Sequence, residues 1–246
     1  NRYFCVPDRG PIDGGTAYRT RMHEIEIVFT RQTIAKSGFG AAQARPVATH
    51  MLSDENGRPL VGSAGAFDTK DHSATTRFDP EGIRVSAAGQ SVYICEEYGP
   101  DLAEFSLDGK LIRRFEVPGA LRCTAPAVVE KGEMPPLNSS GRAPNRGFEG
   151  LGISPDGSTL FAAMQSPLIQ DHAFDEKGKR LGVNVRIVRF DVATGKATGQ
   201  FVYTLDSAKT SISEVLCVNS TRLLVLERDS EGGFDAQFKK VILVDT

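Results

Sequence analysis

Acidic side chains sit at recurring positions in this chain. Glu81 (in Phe78-Asp79-Pro80-Glu81-Gly82-Ile83), Glu149 (in Gly147-Phe148-Glu149-Gly150-Leu151) and Glu214 (in Ile212-Ser213-Glu214-Val215-Leu216) each open an apolar run. A polar or charged tip closes the run that follows: Glu96-Glu97-Tyr98-Gly99-Pro100, Met164-Gln165-Ser166-Pro167-Leu168 and Glu227-Arg228-Asp229. Placing Glu81 on Glu149 puts Ser86 on Ser154, Gly89 on Gly157 and Glu97 on Gln165 without a gap. A repeat in register means repeated structure, so its variable tips are the place to look for function.

Carboxylates brought together repel one another and need cations or protons. Oxygen donors of this kind suit calcium, which takes six to eight of them in flexible geometry. The expected metal ligands are therefore Glu81, Glu97, Glu149, Gln165, Glu214 and Glu227, with backbone carbonyls to complete the shell. His and Cys are scarce at these positions, which disfavours zinc. Calcium beside Arg9, Arg146 or Arg228 would make a cationic pocket for a phosphate or carboxylate ester, since the planar guanidinium fork grips such oxyanions in bidentate fashion. The metal would polarise the ester oxygen and activate a water. On this reading Arg9, Arg228 and Glu97 are catalytic, and Asp8, Arg146, Tyr98 and Ser166 contact the substrate. Each also has a plainer reading: a strand-start Glu can pair with an Arg of the next unit, Asp8-Arg9-Gly10 can be a turn with a local ion pair, and Tyr98 before Gly99-Pro100 can pack on a rim.

The elements that must position these groups are strands. Two-residue alternation runs through Glu24-Ile25-Glu26-Ile27-Val28-Phe29, Ser91-Val92-Tyr93-Ile94-Cys95 and Val185-Arg186-Ile187-Val188-Arg189-Phe190, and no long amphipathic helix is evident. Turn residues fall between them at Ser154-Pro155-Asp156-Gly157, Leu107-Asp108-Gly109-Lys110 and Val192-Ala193-Thr194-Gly195-Lys196. The first full copy resolves into strands near 82–87, 91–96, 102–106 and 111–116, and the second near 150–154, 159–164, 185–191 and 199–204. Recurring four-stranded antiparallel units are the pattern of an all-β β-propeller. With the partial unit at Tyr3 to Arg9 there are about four blades, and two Gly-, Pro-, Ala- and Ser-rich insertions, Gly40 to Arg77 and Pro118 to Arg146, lengthen the repeat. A Glu before one strand and a tip after its antiparallel partner lie at the same end of the pair, so both sets of polar groups share one mouth of the channel.

Other classes fit poorly. The net charge is −2 and Lys and Arg are scattered, against nucleic acid or an anionic membrane as partner. Apolar runs such as Leu223-Leu224-Val225-Leu226 are far too short to span a bilayer. His23, His50, His72 and His172 make no nucleophile–base arrangement, and no G-x-S-x-G elbow occurs. Cys5, Cys95 and Cys217 read as buried thiols, Cys123 as the one to test for pairing, and Asn138 and Asn219 head sequons that matter only in a eukaryotic secretory setting. Both ends read as cut within strands, so 1–246 is expected to be one propeller domain truncated at both ends.

Asp-Arg-Gly at 8–10, Phe-Asp-Pro-Glu-Gly at 78–82, Glu-Glu-Tyr-Gly-Pro at 96–100, Gly-Phe-Glu-Gly-Leu at 147–151, Gln-Ser-Pro-Leu at 165–168 and Leu-Glu-Arg-Asp at 226–229 resemble, in order and spacing, the phytase-like family described by an esterase-like activity of phytase. The resemblance implies a six-bladed type of propeller, periplasmic or secreted, with a metal-dependent hydrolase role on phosphate or other small-molecule esters. Glu-Glu-Tyr-Gly is also similar to propeller alkaline phosphatases that use calcium and iron, but the cysteine ligand of their iron has no match here. The rival reading is a non-catalytic propeller with a structural metal, binding a ligand or a protein partner through the same face.

Overall fold

The computed structural model describes residues 1–30, 41–68, 70–71, 75–175 and 177–246; His72 lies outside them. Among the described residues, regular structure consists of β-strands and short 3-10 turns. The first sheet joins β1 (Arg2–Cys5), β2 (Arg21–Thr30) and β3 (Ala41–Met51) in that order. The second runs β4 (Pro80–Val85), β5 (Ser91–Glu96), β6 (Asp101–Ser106), β7 (Leu111–Arg114). The third runs β8 (Phe148–Ile153), β9 (Thr159–Met164), β10 (Asn184–Asp191), β11 (Ala197–Thr204). The fourth joins β12 (Ser211–Asn219), β13 (Arg222–Arg228) and β14 (Lys239–Asp245). Every named pairing is antiparallel and each strand pairs with its neighbour in sequence, the meander of a propeller blade.

The stretch from Gly40 to Arg77 is not a loop throughout, because Ala41–Met51 is strand β3. Its Pro46 is tolerated because β3 is an edge strand and the register slips beside it, between Glu24 and Ile25 of β2. The insertion from Pro118 to Arg146 holds only two short 3-10 turns, as expected of a loop.

Apolar side chains on both faces of the middle strands bury the sheets against one another; all six residues of β5 are buried. Met22, Leu52, Leu60, Phe78, Val92, Ile94 and Phe105 fill one core, and Leu102, Leu121, Phe148, Leu151, Phe161, Val188, Ile212 and Val225 belong to the other. Tyr93, Phe115, Phe190 and Phe148 form an edge-to-face chain at 5.9, 5.9 and 6.2 Å that ties the second sheet to the third.

The first strands of successive sheets meet: β4 packs on β8, and β8 on β12. Gly82 and Gly150, which follow the repeat glutamates, make that approach possible. A Cβ on Gly82 would lie 2.6 Å from Leu151 Cβ, and one on Gly150 would lie 2.8 Å from the Val215 amide nitrogen. Each of these strands opens with a bulge. Glu149 is the unpaired residue between Phe148↔Met164 and Gly150↔Ala163, and Glu81-Gly82 falls between Pro80↔Glu96 and Ile83↔Ile94. In β12 the unpaired residue between Ile212↔Glu227 and Glu214↔Leu226 is Ser213. The third copy is therefore one residue out of the expected register: Ser213, not Glu214, is the counterpart of Glu81 and Glu149, and Glu214 occupies the glycine position. A one-residue shift turns a strand side chain to the other face.

All four cysteines are free thiols, with Cys95 and Cys217 buried and Cys5 and Cys123 partly so. The Asn138 side chain is fully buried; its Oδ1 accepts from the Thr124 and Ala125 amides and the Thr124 hydroxyl, and its Nδ2 donates to Glu133 O. That side chain has no room for a glycan in the folded state, whereas Asn219 is exposed. Because the Gly150 Cβ position is filled by backbone rather than by a flexible side-chain end, Gly150→Ala should lower the unfolding free energy in urea by about 1–3 kcal/mol. Ala at Gly89, with open space around it but a positive φ of 67°, should lower it less.

Candidate functional site

Two bulges and one tip bring Glu81, Glu97 and Glu149 together: one carboxylate oxygen from each lies within 4.8 Å of the others. Glu97 is buried and neither of its carboxylate oxygens has a hydrogen-bond partner. Gln165, its counterpart on the next sheet, donates from Nε2 to Glu149 Oε2 at 2.7 Å, which leaves its carbonyl oxygen as a further donor for a cation. A second group, Asp8, Asp79 and Glu81, meets the same 4.8 Å limit. Asp79, two residues before Glu81 and therefore on the same side of an extended chain, escaped the sequence reading although its position in Phe78-Asp79-Pro80-Glu81 carried the signal.

Asp79, Glu81, Glu97 and Glu149 hold protons more tightly than in water. Burial, with the Asp8 charge beside it, pushes Asp79 up to about 9. Burial and the surrounding carboxylates likewise raise Glu81 and Glu97, and burial raises Glu149 against the pull of Gln165 and Arg228. The site thus gathers carboxyl groups with fewer donors than their oxygens could use, and Glu97 has none. Oxygen ligands in this number and charge fit a hard divalent cation.

Two predicted ligands lie elsewhere. Glu214, turned by the register shift, pairs with Arg84 at 3.0 Å and accepts from the Leu151 amide at 3.1 Å and its neighbour Val215 at 2.9 Å. Glu227 is fully buried, and its carboxylate accepts from the Tyr203 hydroxyl at 2.7 Å, the Asp206 amide at 2.8 Å and the Thr210 hydroxyl. The strand pairing makes Glu227 the counterpart of Glu96, which accepts from the amides of Tyr98 (3.0 Å), Gly99 and Asp79. Glu96 and Glu227, the first residues of their tips, fasten loops, while Met164 packs in the core; the second residues are Glu97, Gln165 and Arg228, and Gln165 and Arg228 reach Glu149.

Arg9 is likewise used by the fold. Its amide donates to Asp8 Oδ1 and to Asp79 Oδ1 at 3.0 Å, fixing both carboxylates. Its guanidinium is buried and engaged by Asp13 at 2.7 Å, Glu130 at 2.6 Å and the Tyr98 hydroxyl at 3.3 Å, so no prong of the fork is left for an anionic substrate. Tyr98 is buried, donates to Gly62 O at 3.0 Å, and lies beneath the guanidinium of Arg77 at 4.6 Å. Behind it, buried Glu133 pairs with Arg77 at 3.1 Å and with Arg142, whose Nε donates to Tyr98 O at 2.6 Å. This pairing straps the Pro118 to Arg146 insertion to the loop that carries Glu97. A cavity of about 240 Å³ lies there, lined by Arg77, Glu96, Tyr98, Asp101, Arg122 and Arg142 among others, but by none of the clustered carboxylates.

Two arginines lie beside the cluster and a third is near one of them. Arg228 is partly exposed and stands 3.6 Å from Glu149 Oε1. Arg146 is close enough to Glu97 and Glu149 to favour their charged forms. Arg180, which the sequence reading missed, is held by the carbonyls of Ala208 and Thr210 and the Ser211 hydroxyl, and burial together with nearby Arg146 keeps its pKa below the usual value. Among the described residues neither Arg146 nor Arg180 makes a salt bridge. Ser166 is fully buried with its hydroxyl unpartnered; it is placed for packing behind the tip rather than for contact with solvent.

A secreted, uncharacterized protein of Arthroderma benhamiae is 25% identical over 293 residues, covering 97% of this chain, and the chain spans only 56% of that relative's length. Among solved structures, the Dos1 propeller (11% identical, 86% of this chain and 42% of that one, TM-score 0.39) and Hsv2 of Kluyveromyces lactis (13% identical, 90% and 54%, TM-score 0.38) are similar. The family described as "Phytase-like: Esterase-like activity of phytase" matches residues 1–246 from end to end, and the chain, with its antiparallel β-propeller blades, belongs to that family.

Proposed function

We propose that the acidic mouth is the centre of a calcium-dependent hydrolase acting on phosphate or related esters, in a protein that works outside the cytoplasm. The observation that carries this reading is Glu97: a buried carboxylate with no hydrogen-bond partner, within 4.8 Å of two more carboxylates, is an arrangement that a bound cation would make favourable. Glu81, Glu97 and Glu149, with the Gln165 carbonyl, are the proposed ligands. Calcium bound there would polarise an ester oxygen and lower the pKa of a water.

The chain's own residues supply the rest. Arg228 and Arg146, with Arg180 behind, form a cationic rim that would attract an anionic ester and hold its oxygens beside the carboxylate cluster. The planar fork of Arg228 suits two such oxygens at once. Arg9 and Tyr98 serve as positioning residues, since the former clamps Asp8 and Asp79 and the latter anchors the loop behind Glu97. The secreted relative supports export, and the family match supports an ester substrate.

Replacing Arg228 by Lys keeps the charge and loses the fork. In the calcium-loaded protein, Arg228→Lys should therefore lower kcat/KM for a phosphomonoester by about tenfold or more, with calcium-dependent stability nearly unchanged. Arg9→Lys should instead lower the melting temperature. Absence of any calcium-dependent ester hydrolysis by the wild-type protein, on phosphate and carboxylate esters alike, would favour a ligand-binding role for this mouth.

A pH dependence follows from the raised carboxyl groups. A carboxyl whose pKa is higher in the folded state favours folding while it is protonated, and that contribution is lost as pH rises from its unfolded value towards its folded one. For Asp79 the window runs from about 4, the ordinary carboxylate value, to about 9. The calcium-free protein should thus lose melting temperature steadily between pH 5 and 9. Added calcium should restore more of it at pH 8 than at pH 5, because the ion replaces protons that are then easier to remove. A calcium-induced shift equal at both pH values would contradict the proposed ligand set.

A further inference from the structure

The carboxylates of the mouth form two groups joined at one residue. Glu81 groups with Glu97 and Glu149 and also with Asp8 and Asp79, and within each group the oxygens lie within 4.8 Å of one another. The proposed calcium among Glu81, Glu97, Glu149 and Gln165 leaves the second group to be accounted for. Asp79 is fully buried; its Oδ1 takes the Arg9 amide at 3.0 Å, and its Oδ2 accepts no hydrogen bond. The nearest guanidinium nitrogen, Arg9 Nε, is 3.8 Å from that oxygen, and the same guanidinium already serves Asp13 and Glu130. That oxygen is sealed from water beside two other carboxylates, where a proton or a second positive charge would satisfy it.

Local structure is arranged to keep this group together. One backbone amide, that of Arg9, donates to both Asp8 and Asp79 across 70 residues of sequence, and so holds β1's trailing loop against the start of β4. Gly62 backs the same loop so closely that a Cβ there would lie 2.1 Å from Arg9 O. Two cations that share a bridging carboxylate sit about 3.5–4 Å apart in known two-metal sites, a separation compatible with one Glu81 serving both groups.

We infer that the mouth holds a second divalent cation on Asp8, Asp79 and Glu81, with Glu81 bridging it to the ion at Glu97 and Glu149. The inference rests on the calcium reading above and extends it from one ion to two. Asp8, the solvent-exposed member, leaves the second ion the more accessible of the pair, and Asp79 supplies its buried anchor.

The test is the number of calcium ions bound. Protein stripped with chelator is titrated with calcium by calorimetry, and bound ions are counted by atomic emission after removal of free metal. The expected result is two ions per chain, falling to one in Asp79→Asn and to one in Glu97→Gln. Asp8→Asn, a substitution at an exposed position that should leave the fold intact, should weaken one of the two binding steps by about tenfold or more and leave the other in place. A wild-type count of one, unchanged by Asp8→Asn, overturns the second site and leaves the first standing. A count of zero overturns both, and two ions that persist at full affinity in Asp8→Asn and Asp79→Asn place the second ion elsewhere and overturn the assignment.

Discussion

Carboxylates that have lost their water dominate the physics of this molecule. Asp79 and Glu97 are as buried as the phenylalanines around them, yet Glu97 has no donor and Asp79 only one, the Arg9 amide. Such groups survive in a folded protein only when the scaffold is stiff enough to hold them and something charged can neutralise them. The stiffness comes from what surrounds them: the edge-to-face aromatic chain between the second and third sheets, the close approach of inner strands at Gly82 and Gly150, and the Arg77–Glu133–Arg142 pairing behind Tyr98. Bulges perform the last step by turning Glu81 and Glu149 out of the ladder, where they meet Glu97.

The same position on successive blades is used for different chemistry. At the first residue of the tip, Glu96 and Glu227 accept hydrogen bonds and fasten loops. At the second, the blades present a carboxylate, an amide and a guanidinium in turn: Glu97, Gln165, Arg228. Successive blades therefore bring an anionic, a neutral and a cationic side chain to the same position. The division of labour within a tip explains why alternate residues of similar charge, such as Glu227 and Arg228, have unrelated roles.

Much of this was legible in the sequence, for identifiable reasons. The strands of the second and third blades were readable within two residues because both alternate and share their turn signals, Ser86 to Gly89 and Ser154 to Gly157. Glu81, Glu97, Glu149 and Gln165 were readable because the two copies align without a gap. Glu214 misled because it was matched by residue type, whereas the strand pairing puts Ser213 at the bulge position and Glu214 one residue later. Glu227 misled because its three donors, Tyr203, Asp206 and Thr210, come from the end of the preceding blade. The engagement of Arg9 by Glu130 is similarly beyond local reading, since 121 residues separate the partners. Ala41–Met51 is strand despite its small residues and Pro46, because a long neighbour, β2, offers it a full ladder.

The buried amide of Asn138 bears on how the protein can be made. In a eukaryotic secretory compartment, N-linked sugars are added to a chain as it emerges, before its loops have closed. Asn138-Ser139-Ser140 would then be an acceptor at the one moment when its side chain is accessible, and a sugar placed there would stand where Thr124, Ala125 and Glu133 must later converge. The loop between Pro118 and Arg146 would fail to seat, and with it the strap behind Tyr98. A bacterial host, or a eukaryotic one given Ser140→Ala to erase the acceptor sequence while leaving Asn138 in place, avoids that conflict between the order of modification and the order of folding.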